Sequence, residues 1–152
     1  MIKRAVPAER LIHEALETYQ QRQDNNGLAD ANAAYGLMID SAEYRMYEKF
    51  WRDRGSYDPT PKTAIQFLQK ALGFYAQAKN PEGERFASLQ LGRLYHEDGQ
   101  LVEACQAYEA SNQYHHSAQK QFPTHNFYVA PGATSWEGMI ASMKKGIGCP
   151  DP

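Results

Sequence analysis

The stretch that decides the fold reads Ala15-Leu16-x2-Tyr19-x-Gln21-x5-Gly27-x3-Ala31-x4-Gly36, and it returns 56 residues later, without a gap, as Ala71-Leu72-x2-Tyr75-x-Gln77-x5-Gly83-x3-Ala87-x4-Gly92. Small and aromatic residues recur at fixed spacing on both sides of a polar turn that contains glycine. A repeated helix–turn–helix has this pattern, and helical arrays are built by stacking such repeats. We therefore predict an all-α chain of stacked antiparallel helix hairpins.

The size and composition of the chain are those of an ordinary globular domain. It has 152 residues, of which 42% are hydrophobic and 22% are charged, so one hydrophobic core can form. The net charge is -2. Without a basic stripe to neutralise a phosphate backbone, we expect no nucleic-acid partner. The sequence also has no run of about 20 apolar residues, so we expect no membrane span.

The cysteines and the N-terminus bear on the cellular compartment. Cys105 lies inside a helical pattern and Cys149 in a tail flanked by proline, and these unlike contexts do not indicate a disulfide framework. Cys105 is expected to pack as a small hydrophobic side chain. The basic residues near the start are not followed by an apolar run, so no secretory signal is expected. These features predict a cytoplasmic protein.

Hydrophobic periodicity predicts a series of helical segments. Apolar residues recur at intervals of three and four, as they do on one face of a helix. Proline, glycine and short polar residues separate the segments and mark their starts. The predicted segments cover residues 8–23, 29–52, 61–79, 81–98, 101–120 and 134–146.

The turns between these segments carry specific signals. Gly27 suits a left-handed C-cap or the turn after the first helix. Asp40-Ser41-Ala42-Glu43 has the form of a capping box, so we expect a break or kink inside the second segment. Thr60 before Pro61 predicts an N-cap with proline at the first helical position, and Asn80-Pro81 repeats this arrangement.

One part of the chain matches a known repeat pattern. Leu91-Gly92-x2-Tyr95 is followed nine residues later by Ala104-x3-Tyr108. This resembles the tetratricopeptide repeat (TPR), in which Trp-x2-Leu-Gly-x2-Tyr precedes Ala-x3-Phe and a proline. In such a unit the glycine and the alanine let two helices approach closely, and the two tyrosines fill the space between them.

The resemblance is divergent. The clean repeat covers about residues 85–118, and it has Ser88, Tyr108 and His116 where the family has tryptophan, phenylalanine and proline. The earlier unit keeps Gly36 and Ala64-x3-Leu68, but the glycine and the alanine are 28 residues apart, against 12 in the clean repeat. An insertion at about residues 44–61 accounts for the difference.

The resemblance implies a TPR-like fold for the whole chain. We expect residues 1–152 to form a single domain, a short superhelix of stacked hairpins. Residues 122–146 lie outside the repeat and are expected to form a loop and a C-terminal capping helix. The loop at residues 122–133 has two alternatives, which are to fold back into the groove of the array or to bind a partner.

In this family the first helix of each hairpin lines a groove that holds a peptide, which implies a set of partner-binding residues here. Arg93 is suited to holding a carboxylate in a bidentate manner, and the alternative is an ordinary solvated arginine. In the earlier unit the corresponding face consists of Asp30, Ala33, Ala34 and Leu37. In the clean repeat the groove residues are Phe86, Leu89, Gln90, Arg93 and His96.

The insertion offers a second candidate surface, because it concentrates aromatic side chains. Tyrosine and tryptophan often anchor protein interfaces, since they bury much area at low entropic cost. The alternative is that these side chains pack into the core. The candidate partner-binding residues of the insertion are Tyr44, Tyr47, Trp51 and Tyr57.

The sequence shows no pattern that predicts chemistry. His115 and His116 are adjacent and therefore point about 100° apart on a helix, which does not suit one metal ion. Phosphate-binding loops and serine nucleophile elbows are missing as well. We predict no catalytic residue, no metal and no cofactor.

These observations predict a protein–protein interaction module, of the adaptor, chaperone or inhibitor type, that is not an enzyme. Its partner is expected to be a protein or peptide bound on the helical-repeat surface. One alternative is a sensor of a small molecule or peptide, or a helical enzyme, whose site is enclosed by the helices. A further alternative is a structural subunit that self-associates, so a homo-oligomer is possible.

Overall fold

The computed structural model describes residues 2–55, 58–127 and 129–150, without the side chains of residues 2–4. All regular secondary structure in these residues is helical, which confirms the all-α class. The helices in the described part are α1 (Ile2–Arg22), α2 (Asn25–Asp40), α3 (Ala42–Met46), α4 (Glu48–Asp53), α5 (Pro61–Gln77), α6 (Pro81–Glu97), α7 (Leu101–Gln121) and α8 (Trp136–Gly146).

The first two predicted segments differ from the observed helices. α1 begins at Ile2 instead of residue 8, and Pro7 lies inside it. The second segment is divided into α2, α3 and α4. Ser41 makes the predicted break: it ends α2, and its Oγ accepts a hydrogen bond from the backbone N–H of Tyr44 at 3.2 Å, at the start of α3.

The prediction for Gly27 is wrong. The turn after α1 is made by Gln23, which has a left-handed φ of 54°, and by Asp24, whose side chain accepts a hydrogen bond from the Gly27 N–H at 2.9 Å. Gly27 lies within α2. A Cβ there would lie 2.2 Å from Cδ1 of Tyr19, so glycine is needed for the close approach of α1 to α2.

The same local conformation recurs 56 residues later in the chain, as the repeated sequence predicts. Lys79 has a φ of 53°, and Asn80 caps α6 by accepting a hydrogen bond from the Gly83 N–H at 2.9 Å. The Thr60 cap is also confirmed, because Thr60 Oγ1 accepts from the Thr63 N–H at 3.3 Å. These caps satisfy N–H groups that the first turn of a helix leaves unpaired.

The chain folds as two compact units, Met1–Lys79 and Asn80–Pro152. In the first unit α2 packs against both α1 and α5, and in the second unit α7 packs against both α6 and α8. The single domain and the TPR-like superhelix stay predictions.

Glycines of the repeat set the close helix contacts inside each unit. A Cβ at Gly36 would lie 2.3 Å from Leu68 Cδ2 and 3.0 Å from the Ala64 carbonyl oxygen. In the second unit a Cβ at Gly92 would lie 2.6 Å from Cδ1 of Tyr108. The sequence had paired each glycine with an Ala-x3-large motif whose alanine follows it by 28 or 12 residues. The large residue of each motif, Leu68 or Tyr108, lies against the glycine, so the small-against-large contact is confirmed in both units.

A disulfide joins Cys105 of α7 to Cys149 in the tail after α8, with a Cα–Cα distance of 5.7 Å. The prediction that the two cysteines do not pair is wrong. α8 packs against α7, and the turn after it, in which Gly148 has a φ of 80°, brings the tail back to α7. Cys105 and Cys149 are therefore close in space despite a sequence separation of 44.

The helices do not have the character of membrane spans in the part of the chain that the structure describes. None of those in the described part of the chain combines the length and the apolar character that crossing a bilayer requires.

Candidate functional site

The predicted groove residues of the clean repeat lie on α6, in the second unit. Phe86 is 37% exposed, Arg93 and His96 are also exposed, and Gln90 is half-buried. They recur at three- and four-residue intervals and so share one side of the helix. We call these four residues, Phe86, Gln90, Arg93 and His96, the α6 surface.

Leu89 does not belong to this surface. It packs against the core of the second unit, together with residues of the 122–133 loop and of the tail. The helix periodicity placed Leu89 on the groove side, but its side chain is half-buried against this core, so its predicted role in binding is not supported. The buried members of this core are Tyr108, Trp136, Met139 and Ile140.

Arg93 is held by its own helix. Its Nη1 lies 3.3 Å from Glu97 Oε2, and its Nε donates to Gln90 Oε1 at 3.5 Å. Burial raises the pKa of Tyr108, and the positive charge of Arg93 opposes this effect. Arg93 therefore lies close to the Gly92–Tyr108 contact. An exposed ion pair such as Arg93–Glu97 is worth only about 0.3–0.5 kcal/mol, so a ligand can displace it.

Arg85 is the principal residue that the sequence reasoning missed. Its side chain is buried, and its guanidinium lies 4.2 Å from the centre of the Trp136 ring and 4.9 Å from that of Phe127. Nη1 is 3.3 Å from His115 Nδ1, and Nη2 is 3.7 Å from Glu82. The one available signal was its position on the same helical stripe as Ser88, where α6 faces α7.

Part of the non-repeat loop packs on Arg85. We call Arg85, His115, Phe127 and Trp136 the Arg85 cluster. Phe127 contacts both Arg85 and His115, and His125 Nε2 is 3.7 Å from Glu82 Oε1. Within the described residues, Arg85 Nε and Trp136 Nε1 are buried without a hydrogen-bond partner. Ring stacking, rather than complete hydrogen bonding, therefore holds this part of the loop and the start of α8 against α6 and α7.

His115 gives this cluster a dependence on pH. Burial lowers its pKa, the charges of Arg85 and His116 also lower it, and Glu137 opposes them. The folded state therefore holds a proton on His115 less strongly than the unfolded state, whose pKa is near 6.5. Neutral His115 therefore makes its full contribution to the free energy of unfolding at pH values above the unfolded pKa of about 6.5. This contribution is lost as the pH falls below that value.

Lowering the pH from about 7.5 to about 5.5 is therefore expected to lower the free energy of unfolding of the second unit. The measurement is urea unfolding followed by Trp136 fluorescence in a Trp51→Phe background. His115→Gln should reduce the pH dependence, whereas His96→Gln, which changes an exposed histidine of α6, should retain it. Equal pH dependence in both variants would show that His115 is not responsible.

The aromatic insertion lies largely in the core of the first unit. Tyr44 and Trp51 are both 0% exposed, and their rings are stacked with centroids 4.3 Å apart. Neither is available to an outside partner, so the structure supports core packing for these two. Tyr47 is half-buried. Tyr57 lies outside the described residues.

The predicted groove face of the first unit is divided in the same way. Ala33 is buried, Leu37 is half-buried, and Ala34 and Asp30 are exposed. Asp30 accepts a hydrogen bond from the Tyr75 hydroxyl at 2.5 Å. Burial, and then the bond and charge of Asp30, raise the pKa of Tyr75, so this hydroxyl stays protonated. Asp30 therefore joins α2 to α5.

Neither the metal-binding side chains of the described residues nor the comparisons with known proteins narrow the choice of function. Among the residues that the structure describes, no three His, Cys, Asp or Glu side chains come together as a metal site. Comparisons of the chain with protein-family models, with curated proteins and with solved structures find no match. The tetratricopeptide resemblance stays a prediction.

Proposed function

We propose that this chain is a protein–protein interaction module, an adaptor, chaperone or inhibitor, that binds a peptide of a partner protein without catalysing a reaction. The α6 surface is the proposed site. The observation that carries this proposal is an exposed aromatic ring, Phe86, on the same helix face as the Arg93 guanidinium. The peptide is expected to present a carboxylate close to an apolar side chain.

The chemistry of the two contacts favours such a peptide. Guanidinium groups bind carboxylates through paired, charge-assisted hydrogen bonds, each stronger than a neutral one. The Glu97 carboxylate now occupies the place of the ligand carboxylate. Its Oε2 lies 3.3 Å from Arg93 Nη1, in an ion pair that is exposed to solvent. A partner carboxylate can replace Glu97, while the apolar side chain of the peptide covers Phe86, a residue type that is favoured at interfaces.

A peptide-display selection on the full chain tests the proposal. The selected peptides should contain Asp, Glu or a free C-terminus next to Leu, Ile or Phe. Arg93→Gln should weaken the affinity for the selected peptides by about tenfold or more, because a charge-assisted contact contributes about 1.5–3 kcal/mol. Phe86→Ala should weaken it by about tenfold or more as well, because it removes the aromatic ring that the apolar side chain of the peptide covers. Glu97→Gln should strengthen them, because it removes the competing carboxylate.

Lys120→Gln is the matched control, because it removes a positive charge from the exposed end of α7 and should leave the affinity unchanged. All four positions are surface positions, so the thermal midpoint of each variant should stay close to that of the parent. Peptides that bind Arg93→Gln and Phe86→Ala as well as the parent would exclude the α6 surface. A selection without enrichment would exclude peptide binding.

A further inference from the structure

The first unit contains a cavity of about 350 Å³ that the proposed peptide site does not use. Its walls come from α1 and from the end of α4. Since ligand pockets of globular proteins start at about 300 Å³, it has the size of a site for a small molecule. We call it the Glu9 cavity, and its described lining residues are Val6, Pro7, Glu9, Arg10, His13 and Arg54.

A buried carboxylate lies in this cavity. Glu9 is only 5% exposed, and burying a carboxylate is costly unless its oxygens are paired. In the described part of the chain, its partner is the Tyr35 hydroxyl, which donates to Oε1 at 2.9 Å. No basic side chain among the described residues forms an ion pair with it. Glu9 therefore has acceptor capacity left for a ligand.

A chain of hydrogen bonds keeps this carboxylate in place. The single proton of the Tyr35 hydroxyl is directed at Glu9, so the 3.2 Å contact between this hydroxyl and His13 Nε2 requires His13 to donate. The His13 and Tyr35 rings also meet edge to face, with centroids 5.1 Å apart. Both hydrogen bonds are directed towards Glu9, because His13 donates to the Tyr35 hydroxyl and this hydroxyl donates to Glu9 Oε1, so the position of that oxygen is fixed.

Positive charge lines the same cavity. Arg10 is next to Glu9 on α1, and its Nε lies 3.4 Å from Glu14 on the exposed side of that helix. Arg54 ends α4, with its guanidinium 5.4 Å from the centre of the Phe50 ring. A simple cation is disfavoured by the two guanidinium groups, and a simple anion is disfavoured by Glu9. A ligand that carries both charges avoids both penalties.

We propose that the Glu9 cavity binds a free α-amino acid with an apolar side chain. The ammonium group of the ligand donates to Glu9, its carboxylate accepts from Arg54, and its side chain packs against Val6 and Pro7. This site lies within the first unit and the α6 surface within the second, so it does not depend on the proposed peptide binding.

The probe is L-leucine, titrated into the full chain and followed by the amide NMR signals of residues 6, 8–13 and 54. Saturable shifts are expected. N-acetyl-L-leucine lacks the ammonium group and L-leucinamide lacks the carboxylate, so each should bind at least about tenfold more weakly. Equal binding of either derivative would overturn the proposal, as would the absence of saturation by L-leucine up to about 10 mM.

Matched variants locate the ligand. Glu9→Gln keeps an acceptor for Tyr35 but removes the charge, and it should weaken L-leucine by about tenfold or more. Arg54→Gln, an exposed change, should weaken it by a similar factor. The controls Glu17→Gln on α1 and Arg52→Gln on α4 should bind as the parent does. If Glu9→Gln does not fold, the Arg54→Gln result decides. Unchanged affinity in Arg54→Gln would overturn the proposal. Unchanged affinity in a Glu9→Gln variant that folds would overturn it as well.

Discussion

Replacing Trp51 by alanine is expected to lower the free energy of unfolding of the first unit by about 3–5 kcal/mol, the cost of removing a fully buried aromatic side chain. Trp51 is 0% exposed, stacks on Tyr44 and meets the edge of Phe50 with ring centroids 5.0 Å apart. The measurement is urea unfolding followed by far-ultraviolet circular dichroism, with Trp136 fluorescence reporting the second unit separately.

Two control variants distinguish the loss of core packing from the loss of an exposed side chain at the surface. Met46→Ala, at a side chain that is 63% exposed, should change stability by less than about 0.5 kcal/mol. Trp51→Phe should cost less than about 1.5 kcal/mol, because it keeps an aromatic ring and removes an indole N–H that has no partner among the described residues. A Trp51→Ala variant as stable as the parent would place this residue outside the core and restore the interface hypothesis for the insertion.

Removing the disulfide is expected to have the second largest effect. Cys105→Ala combined with Cys149→Ala should lower the free energy of unfolding of the second unit by about 2–4 kcal/mol, because the bond closes a long loop and restricts the unfolded chain. The sequence separation of 44 places the bond towards the upper part of this range. Urea unfolding with and without a reductant measures the effect, and the reductant should leave the double variant unchanged.

Thiol counting provides the direct check. The unreduced protein, unfolded in denaturant, should show no reactive thiols, and it should show two after reduction. Two thiols without reduction would contradict the bond. Rapid alkylation of cells that produce the protein extends this test to its compartment. Structural disulfides persist in oxidising compartments and are rare in the reducing cytosol, so the bond counts against the predicted cytoplasmic location.

Local features of the fold were predictable because they depend on neighbouring residues. The caps at Thr60 and Asn80 need only a polar side chain, a following proline and an apolar stripe. The break was expected from the capping-box pattern Asp40-Ser41-Ala42-Glu43, although the observed N-cap is Ser41, with Tyr44 three residues later. The left-handed turn was assigned to the wrong residue, because Gly27 appeared to be free for any backbone conformation and is instead required by the Tyr19 ring.

The candidate sites were less predictable, because they depend on what covers each helix face. Periodicity placed Leu89 and Arg93 on one side of α6, but Leu89 is half-buried against the core that includes α8 residues, whereas Arg93 is exposed. Arg85 reads in the sequence as an ordinary surface arginine. Its burial between two aromatic rings depends on residues 42 and 51 positions further along the chain.

The helical class and most of the helix boundaries could be predicted from the sequence, because they follow from periodicity and side-chain size over one or two helical turns. The contacts of Gly36 with Leu68 and of Gly92 with Tyr108 were expected from the resemblance to a helical repeat. The contact of Cys105 with Cys149 and the burial of Tyr44 and Trp51 depend on the tertiary structure. It also decided that Glu9 lies in a cavity, because burial is a property of the elements that pack around a residue.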